Sequence, residues 1–165
     1  MITQGKLKKH LSYDPNTGVF VKLTSTNNRH KVGDIAGSLD YKWYTILRIA
    51  GDNYKSHRLA FLYMTGKFPK NQVDHINHIR NDNRWINLRE VTHQENNRNL
   101  SKAKNNKSGV TGVCWNCKSN MWQSYISLMG KRIYLGLFKN KQDAINARKQ
   151  TEIKYGFHTN HGVLN

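Results

Sequence analysis

The sequence predicts an α+β protein built from small antiparallel sheets and short helices. Short runs rich in β-branched and aromatic residues alternate with turn signals, and three of these runs lie between residues 112 and 138. Apolar residues at helical spacing follow strand-like runs at residues 57–65 and again after Asn140. The predicted order is a small N-terminal antiparallel sheet, a strand–strand–helix unit, a linker, and a three-stranded antiparallel sheet packed on one helix.

The N-terminal sheet is predicted from a turn signal near the start of the chain. Residues 1–12 are expected to be a polar lead-in to this turn. Pro15 fixes its own φ and Gly18 permits a positive φ, so residues 19–21 should leave the turn as a strand.

A hairpin and a helix are predicted next. Residues 43–56 are expected to form two strands that turn at Gly51-Asp52-Asn53, and residues 57–65 a helix that ends before Gly66. We expect Trp43 and Trp85 to lie in the core.

The charge of the chain limits the classes of partner. Among 165 residues there are 27 Lys and Arg against 10 Asp and Glu, which gives a net charge of +17 and a pI near 10.1. Such a balance favours a polyanion, and we expect double-stranded DNA. No apolar run approaches the roughly 20 residues of a membrane-spanning helix, and the N-terminus lacks the apolar segment of a secretory signal. Only two Cys among 165 residues are consistent with a reducing compartment, so we expect a cytoplasmic protein. We expect no membrane partner and no small-molecule cofactor.

The positive charge lies in the two flanks of the chain. Residues 1–72 hold 12 basic and 4 acidic side chains, a net charge of +8, and residues 100–165 hold 11 and 2, a net charge of +9. Residues 73–99 hold four of each and are neutral. A cationic chain with a local group of carboxylates favours metal-dependent chemistry on phosphodiesters.

Residues 73–99 carry the residue types that such chemistry needs. Asp74 and His75 end a strand-like step, and Asn87 opens a second one. Thr92 to Glu95 form a capping box, so a helix should start there with Asn96 in its first turn. Two short strands and a helix around these side chains could hold one divalent cation and one activated water.

The same stretch contains a series of short motifs. They are Val73-Asp74-His75, Asn83, Asn87-Leu88-Arg89, Val91-Thr92 and Glu95-Asn96-Asn97-Arg98-Asn99. With these motifs the stretch resembles the HNH nucleases, and among them the homing endonucleases of phages and mobile introns. The resemblance extends over most of residues 13–99, through Tyr13-Asp14-Pro15-Asn16-Thr17-Gly18, His57-Arg58-Leu59-Ala60 and Thr65-Gly66-Lys67-Phe68-Pro69.

The resemblance implies a metal-dependent DNA endonuclease of the homing type, with a nuclease domain at residues 1–99 and its ββα-metal motif at residues 73–99. It makes His75 the general base, Asn87 the residue that orients the water, and Asp74 and Asn96 the ligands of Mg²⁺ or Mn²⁺. A phage-encoded protein of this kind would act in the cytoplasm of the bacterial host.

The third position of the HNH motif is Asn96 in this chain, whereas many members of the family have histidine there. An amide oxygen can also bind a hard cation, and His93, one turn away, is the alternative ligand. His57 is either a second catalytic histidine or a helix-start histidine bonded to a backbone carbonyl. Three arginines are expected to contact DNA, namely Arg58, Arg89 and Arg98.

Residues 100–109 are predicted to be a basic linker, because they combine Lys, Asn and Ser without an apolar period. The linker either follows the DNA through Lys102, Lys104 and Lys107 or is a disordered spacer.

The last segment alternates polar and apolar residues. Three strands are predicted, at residues 112–115, 121–128 and 131–138, with a tight turn at Met129-Gly130. Apolar residues of the last two strands should share one face, with Ile133, Leu135 and Leu137 together. Asn140 is expected to cap a helix whose narrow apolar stripe covers that face. The stripe comprises Ala144, Ala147, Thr151 and Tyr155.

With Gly112-Val113, Tyr134-Leu135-Gly136-Leu137-Phe138 and the Ala-x-x-Ala helix, residues 110–165 resemble the DNA-binding domain of the plant APETALA and ethylene-response-factor proteins. In that family the exposed face of the sheet enters the major groove. The matching positions here are Tyr125, Ser127, Arg132 and Tyr134, with Trp115 and Trp122 beside them. Cys114 and Asn116 stand where the family has arginines, so base specificity does not transfer.

Three alternatives stay open. Cys114 and Cys117 have half the spacing of a zinc site, but a second cysteine pair is missing. The chain could be a sequence-specific DNA-binding regulator with a non-catalytic HNH-like module, or an RNA-binding protein that stacks unpaired bases on exposed aromatic residues. Among nucleases, a monomer would nick and a dimer would cut both strands, and the sequence does not decide between them.

Overall fold

The computed structural model describes residues 1–25, 31–99, 102–103 and 105–163. The chain divides into two compact units, Met1–Thr92 and His93–Asn165. Within the described ranges, every sheet is small and antiparallel and the helices are short, which confirms the predicted α+β class. The second unit starts before Asn99, where we placed the end of the nuclease domain, and the domain assignment itself stays a prediction.

In its described residues, the first unit contains two helices, three small sheets and a short 3₁₀ turn. Its helices are α1 (Gln4–His10) and α2 (Ser56–Thr65), and the 3₁₀ turn is Trp85–Asn87. Its strands are β1 (Leu11–Tyr13), β2 (Phe20–Lys22), β3 (Ser38–Leu39), β4 (Thr45–Ile49), β5 (Asp52–Lys55), β6 (Gln72–His75) and β7 (Leu88–Val91). The sheets are β1-β2, β3-β4-β5 and β6-β7.

The expectation of a polar lead-in at residues 1–12 was wrong, because this segment forms α1 and β1. The Thr3 hydroxyl accepts a hydrogen bond from the Lys6 N–H and caps α1. Leu7 is completely buried in the core, and Gln4 Nε2 donates to the Tyr63 carbonyl of α2. Ile2, Leu7 and Leu11 are therefore buried in the core, whereas Met1 is exposed.

The turn after β1 brings the N-terminal hairpin against the loop that precedes β7. Gly18 has φ +74, and a Cβ there would lie 2.3 Å from the Asn83 carbonyl carbon. Only glycine fits this approach. The Tyr13 hydroxyl donates to the Asn83 carbonyl at 2.7 Å, which fixes the loop from the other side.

The central sheet and α2 form the core of the first unit. The hairpin between β4 and β5 turns at Ala50 and Gly51, both with positive φ, so the turn lies earlier than predicted. Gly66 ends α2 in the left-handed conformation, as predicted. Trp85 packs against Phe61 and the core, whereas Trp43 is 68% exposed, so the core prediction holds for Trp85 and was wrong for Trp43.

In its described residues, the second unit contains a short helix, a three-stranded sheet and a second helix of 14 residues. Its elements are α3 (His93–Asn97), β8 (Val113–Asn116), β9 (Met121–Leu128), β10 (Lys131–Phe138) and α4 (Lys141–Lys154). The strands run in the order β10-β9-β8, and α4 contacts all three. All three predicted strands and the helix after Asn140 are present within a residue or two of their expected bounds.

Two details of the second unit differ from expectation. The register of β10 shifts between Tyr134 and Gly136, so Ile133 pairs with buried Ile126 while Leu137 pairs with Gln123. Since directly paired residues share a face, this β-bulge moves Leu137 to the outer face. The buried stripe of α4 also includes charged residues besides Ala144. Arg148 and Glu152 are buried and form an ion pair at 2.8 Å.

Among the residues that the structure describes, no helix is both long and apolar enough to cross a membrane.

Candidate active site

His75 and Asp74 lie at the end of β6, and both side chains are buried. β6 pairs with β7 so that Asp74 stands opposite Arg89 and His75 opposite Leu88. Leu88 is buried against the core of the first unit. The short sheet therefore holds the carboxylate and the imidazole on a rigid support.

Asn83 sets the orientation of the His75 ring. Its amide nitrogen donates to the Asn81 carbonyl at 3.1 Å and to the Thr45 hydroxyl at 3.4 Å, so its amide oxygen faces His75 Nε2 at 3.3 Å. An oxygen acceptor at this distance places the proton of the neutral ring on Nε2. Nδ1 is then the basic nitrogen. The sequence contained Asn83 within the motif, but we gave it no role.

Aromatic rings enclose His75. His57 stands at a right angle to it with ring centroids 5.0 Å apart, and Tyr44 lies 6.0 Å away. Burial lowers the pKa of His75 below its ordinary value of 6.5, although the hydrogen bond to Asn83 and the charge of Asp74 act in the opposite direction. His75 is therefore neutral at neutral pH, the state in which a histidine can accept a proton.

His57 is the second buried histidine of the first unit. Burial, with additional repulsion from a charged His75, lowers the pKa of His57 to about 3. Its ring packs edge-on against Tyr44 at 5.4 Å. The structure thus brings His57 beside His75. The neutral ring of His57 packs against the ring of His75.

Asn87, the predicted water-orienting residue, is buried and bonded to the loop that connects β6 to the 3₁₀ turn. Its Nδ2 donates to the Asp82 carbonyl at 2.8 Å, and its Oδ1 accepts from the Asn77 N–H at 3.0 Å. Through these two hydrogen bonds, Asn87 holds the loop that carries Asn83.

Asp74 accepts two hydrogen bonds from Arg89, at 3.0 Å from Nε and 2.8 Å from Nη2, both on Oδ2. Arg89, which we expected at the DNA, is thus ion-paired across the β6-β7 sheet. A buried carboxylate and an amide oxygen fit a hard cation such as Mg²⁺, which usually keeps several waters and binds few protein ligands. Among the described residues, no group of three or more His, Cys, Asp or Glu side chains is placed to hold a metal ion.

Asn96 and His93, the two candidates for the third position of the motif, belong to α3 of the second unit. Asn96 is half-buried and His93, the first residue of the helix, is exposed. Their ligand roles stay predictions.

The predicted DNA-contacting cations fall into two groups. Arg58 donates to the carbonyls of Pro69 and Asn71, which fixes the segment before β6. In the second unit Lys102 Nζ donates to the Gly109 carbonyl, Lys107 is exposed, and Lys104 lies outside the described residues.

The second unit contains a cleft of about 820 Å³ between α3 and the sheet. Arg98, Arg132 and Arg148 line it, together with Tyr125 and Ser127. Two of the predicted DNA contacts, Arg98 and Arg132, therefore share one cationic cleft.

The outer face of the second sheet presents the four residues expected to enter a groove. Tyr125 pairs with Tyr134 and Ser127 with Arg132, and the Arg132 guanidinium lies 4.2 Å from the Tyr125 ring centroid. Tyr134, Ser127 and Arg132 are exposed and Tyr125 is half-buried.

Trp115 and Trp122 lie on the other face of this sheet. They pair with each other, and Trp122 shares the inner face of β9 with buried Ser124, two residues further on. Lys141, the first residue of α4, lies 5.2 Å from the Trp122 ring centroid. A DNA contact for these two tryptophans stays a prediction, and the register favours packing at the helix side.

Cys114 lies within β8 and Cys117 directly after it, and both are exposed and free. With no cluster of three metal-binding side chains within the described ranges, the structure gives the zinc alternative no support.

A segment that contains this site matches a known protein family. Residues 54–98, which run from β5 to the end of α3, match the model of a family described as HNH endonuclease. This segment of the chain is therefore similar to HNH endonucleases. This segment includes all four residues assigned to catalysis and metal binding.

A solved structure described as "DNA binding and cleavage by the HNH homing endonuclease I-HmuI" is similar to part of the chain. The match has 22% sequence identity and a TM-score of 0.40, and it covers 53% of this chain and 49% of that one. The chain thus spans about half the length of the matched structure. No curated protein matches the chain significantly.

Proposed function

We propose that this protein is a metal-dependent endonuclease that hydrolyses phosphodiester bonds of double-stranded DNA, with His75 as the general base. The observation that carries the proposal is the buried His75 ring, which Asn83 orients at 3.3 Å and burial keeps neutral, next to the Asp74 carboxylate. A neutral imidazole beside a ligand for a hard cation supplies a general base and charge stabilisation, two contributions that accelerate phosphodiester hydrolysis.

In this reaction His75 Nδ1 takes a proton from a water molecule as the water oxygen attacks the phosphorus. The bond from phosphorus to the leaving 3′ oxygen then breaks, and the electron pair of that bond goes to the oxygen. Nε2–H, held by Asn83, stays in place while the ring becomes charged. The nearby Asp74 carboxylate stabilises the imidazolium that forms.

Asp74 and Asn96 would hold Mg²⁺ or Mn²⁺ at the scissile phosphate, with His93 as the alternative to Asn96. When bound, the cation would supply positive charge to stabilise the negative charge that develops on the oxygens of the pentavalent phosphorane and on the leaving oxygen. Arg89 keeps the Asp74 carboxylate in one orientation, and Asn87 keeps the loop of Asn83 in place. In this proposal both residues position the site.

The second unit would target the enzyme to DNA, as the resemblance to the APETALA-type domain implies. The exposed face with Tyr125, Ser127, Arg132 and Tyr134 supports this role, because a sheet face with an arginine above an aromatic ring offers both phosphate and base contacts. The linker lysines and Arg98 would add phosphate contacts. The homing type of nuclease is part of the same proposal.

One observation favours the alternative of a DNA-binding regulator. The side chains of Asp74 and Asn87 are both engaged, with Arg89 and with the loop at residues 77–82. A site whose polar groups bind one another could be purely structural. The two readings differ in whether the purified protein cuts.

A supercoiled-plasmid assay in Mg²⁺ or Mn²⁺, with and without a chelator, tests the proposal. The wild type is expected to nick or linearise the plasmid only without chelator. His75→Ala should slow cleavage by about 10²- to 10⁴-fold, the usual contribution of a general base, while duplex binding stays largely intact. His10→Ala removes an exposed histidine of α1 and serves as the matched control.

The outcomes separate the readings. Cleavage by His75→Ala at the wild-type rate would contradict the assignment of the base. A wild type that binds duplex DNA but never cuts it in either metal would favour the regulator. Asn96→Ala and His93→Ala, each assayed over a range of Mg²⁺ concentrations, identify the second ligand by which variant needs more metal.

A further inference from the structure

The loop between β3 and β4 exposes two large aromatic side chains. Tyr41 is 86% and Trp43 68% exposed, and Lys42 lies between them. We refer to residues 41–43 as the aromatic tip. Burying large aromatic side chains is one of the main sources of folding energy, so two exposed ones in the same short loop need an explanation.

Hydrogen bonds within the loop hold its backbone in one conformation. Asp40 Oδ1 accepts from the N–H groups of Lys42 and Tyr44, both at 2.8 Å. The Asp40 N–H donates to the Tyr44 carbonyl at 2.8 Å, and the Trp43 N–H donates to the Asp40 carbonyl at 2.9 Å. The aromatic tip is therefore presented by a rigid loop, which lowers the entropic cost of a contact.

Trp43 also adopts a strained backbone conformation, with φ +67. This is the left-handed region, which glycine occupies freely and bulky residues rarely do. A tryptophan at this position costs stability twice, through backbone strain and through exposure of its ring to water. Strain of this kind persists where a function requires it.

The aromatic tip is next to the candidate active site. Tyr44, the residue after Trp43, contacts the rings of His57 and His75. Arg80, from the loop after β6, donates to the Lys42 carbonyl at 3.2 Å and has its guanidinium 5.3 Å from the Tyr44 ring centroid. The loop and the catalytic segment are therefore linked within the first unit.

The surroundings of the tip are cationic. Lys42 Nζ lies 5.1 Å from the Tyr41 ring centroid, and Lys55 Nζ lies 4.3 Å from that of Tyr44. Arg80 adds a third positive charge, while the carboxylate of Asp40 is bonded to backbone N–H groups of its own loop. An apolar tip between lysines and arginine fits a polyanion that also offers flat apolar faces, and nucleic-acid bases provide both.

We propose that the aromatic tip, with Trp43 as its principal residue, stacks on bases of duplex DNA next to the scissile phosphate, which is attacked by the water that His75 deprotonates. The partner is a DNA duplex opened at one base step, into which the indole inserts as apolar wedges of other DNA-binding proteins do. The basic groups beside the tip hold the flanking phosphates. The location beside the scissile phosphate rests on the proposed nuclease function, whereas the stacking contact does not.

Three substitutions of Trp43 test the contact, with fluorescence anisotropy of a fluorescein-labelled mixed-sequence duplex as the readout. Trp43→Gly and Trp43→Lys should weaken binding about five- to hundredfold, the range of one base–aromatic stacking contact. Trp43→Phe should recover most of the affinity. Because glycine relieves the positive φ, Trp43→Gly should melt at the wild-type temperature or above. Ile35→Ala, which removes another exposed apolar side chain, is the control and should bind like the wild type.

Permanganate oxidation of the duplex reports the opened step, because unstacked thymines react faster. Wild-type protein should enhance the reactivity of thymines at one step, and Trp43→Gly should abolish the enhancement. Unchanged or tighter binding by Trp43→Lys would mean that only phosphates are contacted and would overturn the proposal. So would a lowered melting temperature of Trp43→Gly with unchanged binding, which would indicate a structural role.

The test distinguishes this proposal from the nuclease proposal. Loss of binding in Trp43→Gly with a wild type that never cuts would retain the stacking contact and reject the nuclease. Wild-type cleavage that is lost in His75→Ala, together with full binding by all three Trp43 variants, would do the reverse. Tighter wild-type binding to single-stranded RNA than to the duplex would overturn the choice of DNA as the partner.

Discussion

Asn83 is the residue on which the orientation of His75 depends. Its amide oxygen faces the imidazole at 3.3 Å, and its amide nitrogen is held by Asn81 and Thr45. Its own carbonyl accepts from the Tyr13 hydroxyl of the N-terminal hairpin. A base that must present one nitrogen to water gains from a fixed partner on the other nitrogen.

Asn83→Ala should therefore slow DNA cleavage by about 10- to 100-fold, since the ring loses its partner and one polar nitrogen is left buried. DNA binding should change little, so the loss should fall on the cleavage rate and leave KM nearly unchanged. Asn83→Asp keeps an oxygen acceptor for Nε2 and should recover part of the rate. Single-turnover plasmid cleavage measures both effects.

Asn81→Ala is the matched control, because the Asn81 contact to Asn83 uses the backbone carbonyl and the Asn81 side chain is exposed. If this control slowed cleavage as much as Asn83→Ala, the effect would belong to the loop as a whole. If KM rose while the rate stayed constant, Asn83 would act in binding DNA.

Sequence reasoning selected Asp74 and His75 as candidates, because adjacent residues of those types in a recognisable motif need no tertiary information, and the structure places both side chains in the interior at the end of β6. It gave Asn83 no role, since which amide faces the imidazole depends on how the loop at residues 76–84 folds back, and the water-orienting role it gave Asn87 stays a prediction. It also placed Trp43 in the core, because a tryptophan in a strand-like run is usually buried. Trp43 differs from Trp85 in its positive φ and in the exposure of its side chain, and both are known only from the structure.

At the level of elements, α1 shows how a short helix can be overlooked. It has seven residues, three of them lysine, and only Leu7 is buried. Its position depends on contacts distant in sequence, including the hydrogen bond from Gln4 to Tyr63 of α2. A helix of this length is unstable by itself, so tertiary packing determines whether it forms.

Leu7→Ala should therefore lower the free energy of unfolding of the first unit by about 2–5 kcal/mol, the usual cost of removing a buried leucine. Urea denaturation followed by circular dichroism measures the loss. Lys9→Ala, on the exposed side of α1, should change the free energy by less than about 0.5 kcal/mol. Equal small effects of both variants would show that α1 does not contribute to the core.

The strands β8, β9 and β10 were predicted well because alternation of side chains over eight residues is a local signal. The bulge at residues 134–136 was not, although it decides that Leu137 lies on the outer face. The buried stripe of α4 was predicted from apolar residues alone, so Arg148 and Glu152 were missed. Charged residues enter a buried stripe only as a pair, and sequence does not reveal whether the pair is buried.

At the scale of the whole molecule, each of the two compact units holds a histidine whose pKa is lowered by burial. The pKa of His57 falls to about 3 and that of His161 to about 4. His161 Nε2 lies 3.2 Å from Arg148 and 3.9 Å from Glu152, with Lys149 and Arg98 also acting on it. In an unfolded chain both histidines would titrate near 6.5.

The sign of the pH dependence follows from these values. Between pH 6.5 and about 4, an unfolded second unit takes up a proton at His161 that the folded unit does not. The stabilising contribution is complete above pH 6.5 and is lost as the pH falls toward 4. The first unit behaves in the same way through His57, over a window that extends to about pH 3. Both units should therefore lose stability in mild acid.

His161→Gln tests this for the second unit, because glutamine offers Arg148 an acceptor that does not titrate. From about pH 7 to about pH 4.5 the wild-type unit should lose on the order of 1–3 kcal/mol, and the variant clearly less. Hydrogen exchange of peptides from β9 and β10, corrected for the intrinsic rate at each pH, measures the second unit separately. His10→Gln, which replaces an exposed histidine, should keep the wild-type pH dependence. An equal decline in His161→Gln and wild type would assign the acid sensitivity of this unit to its carboxylates, since protonation of His161 would then contribute nothing.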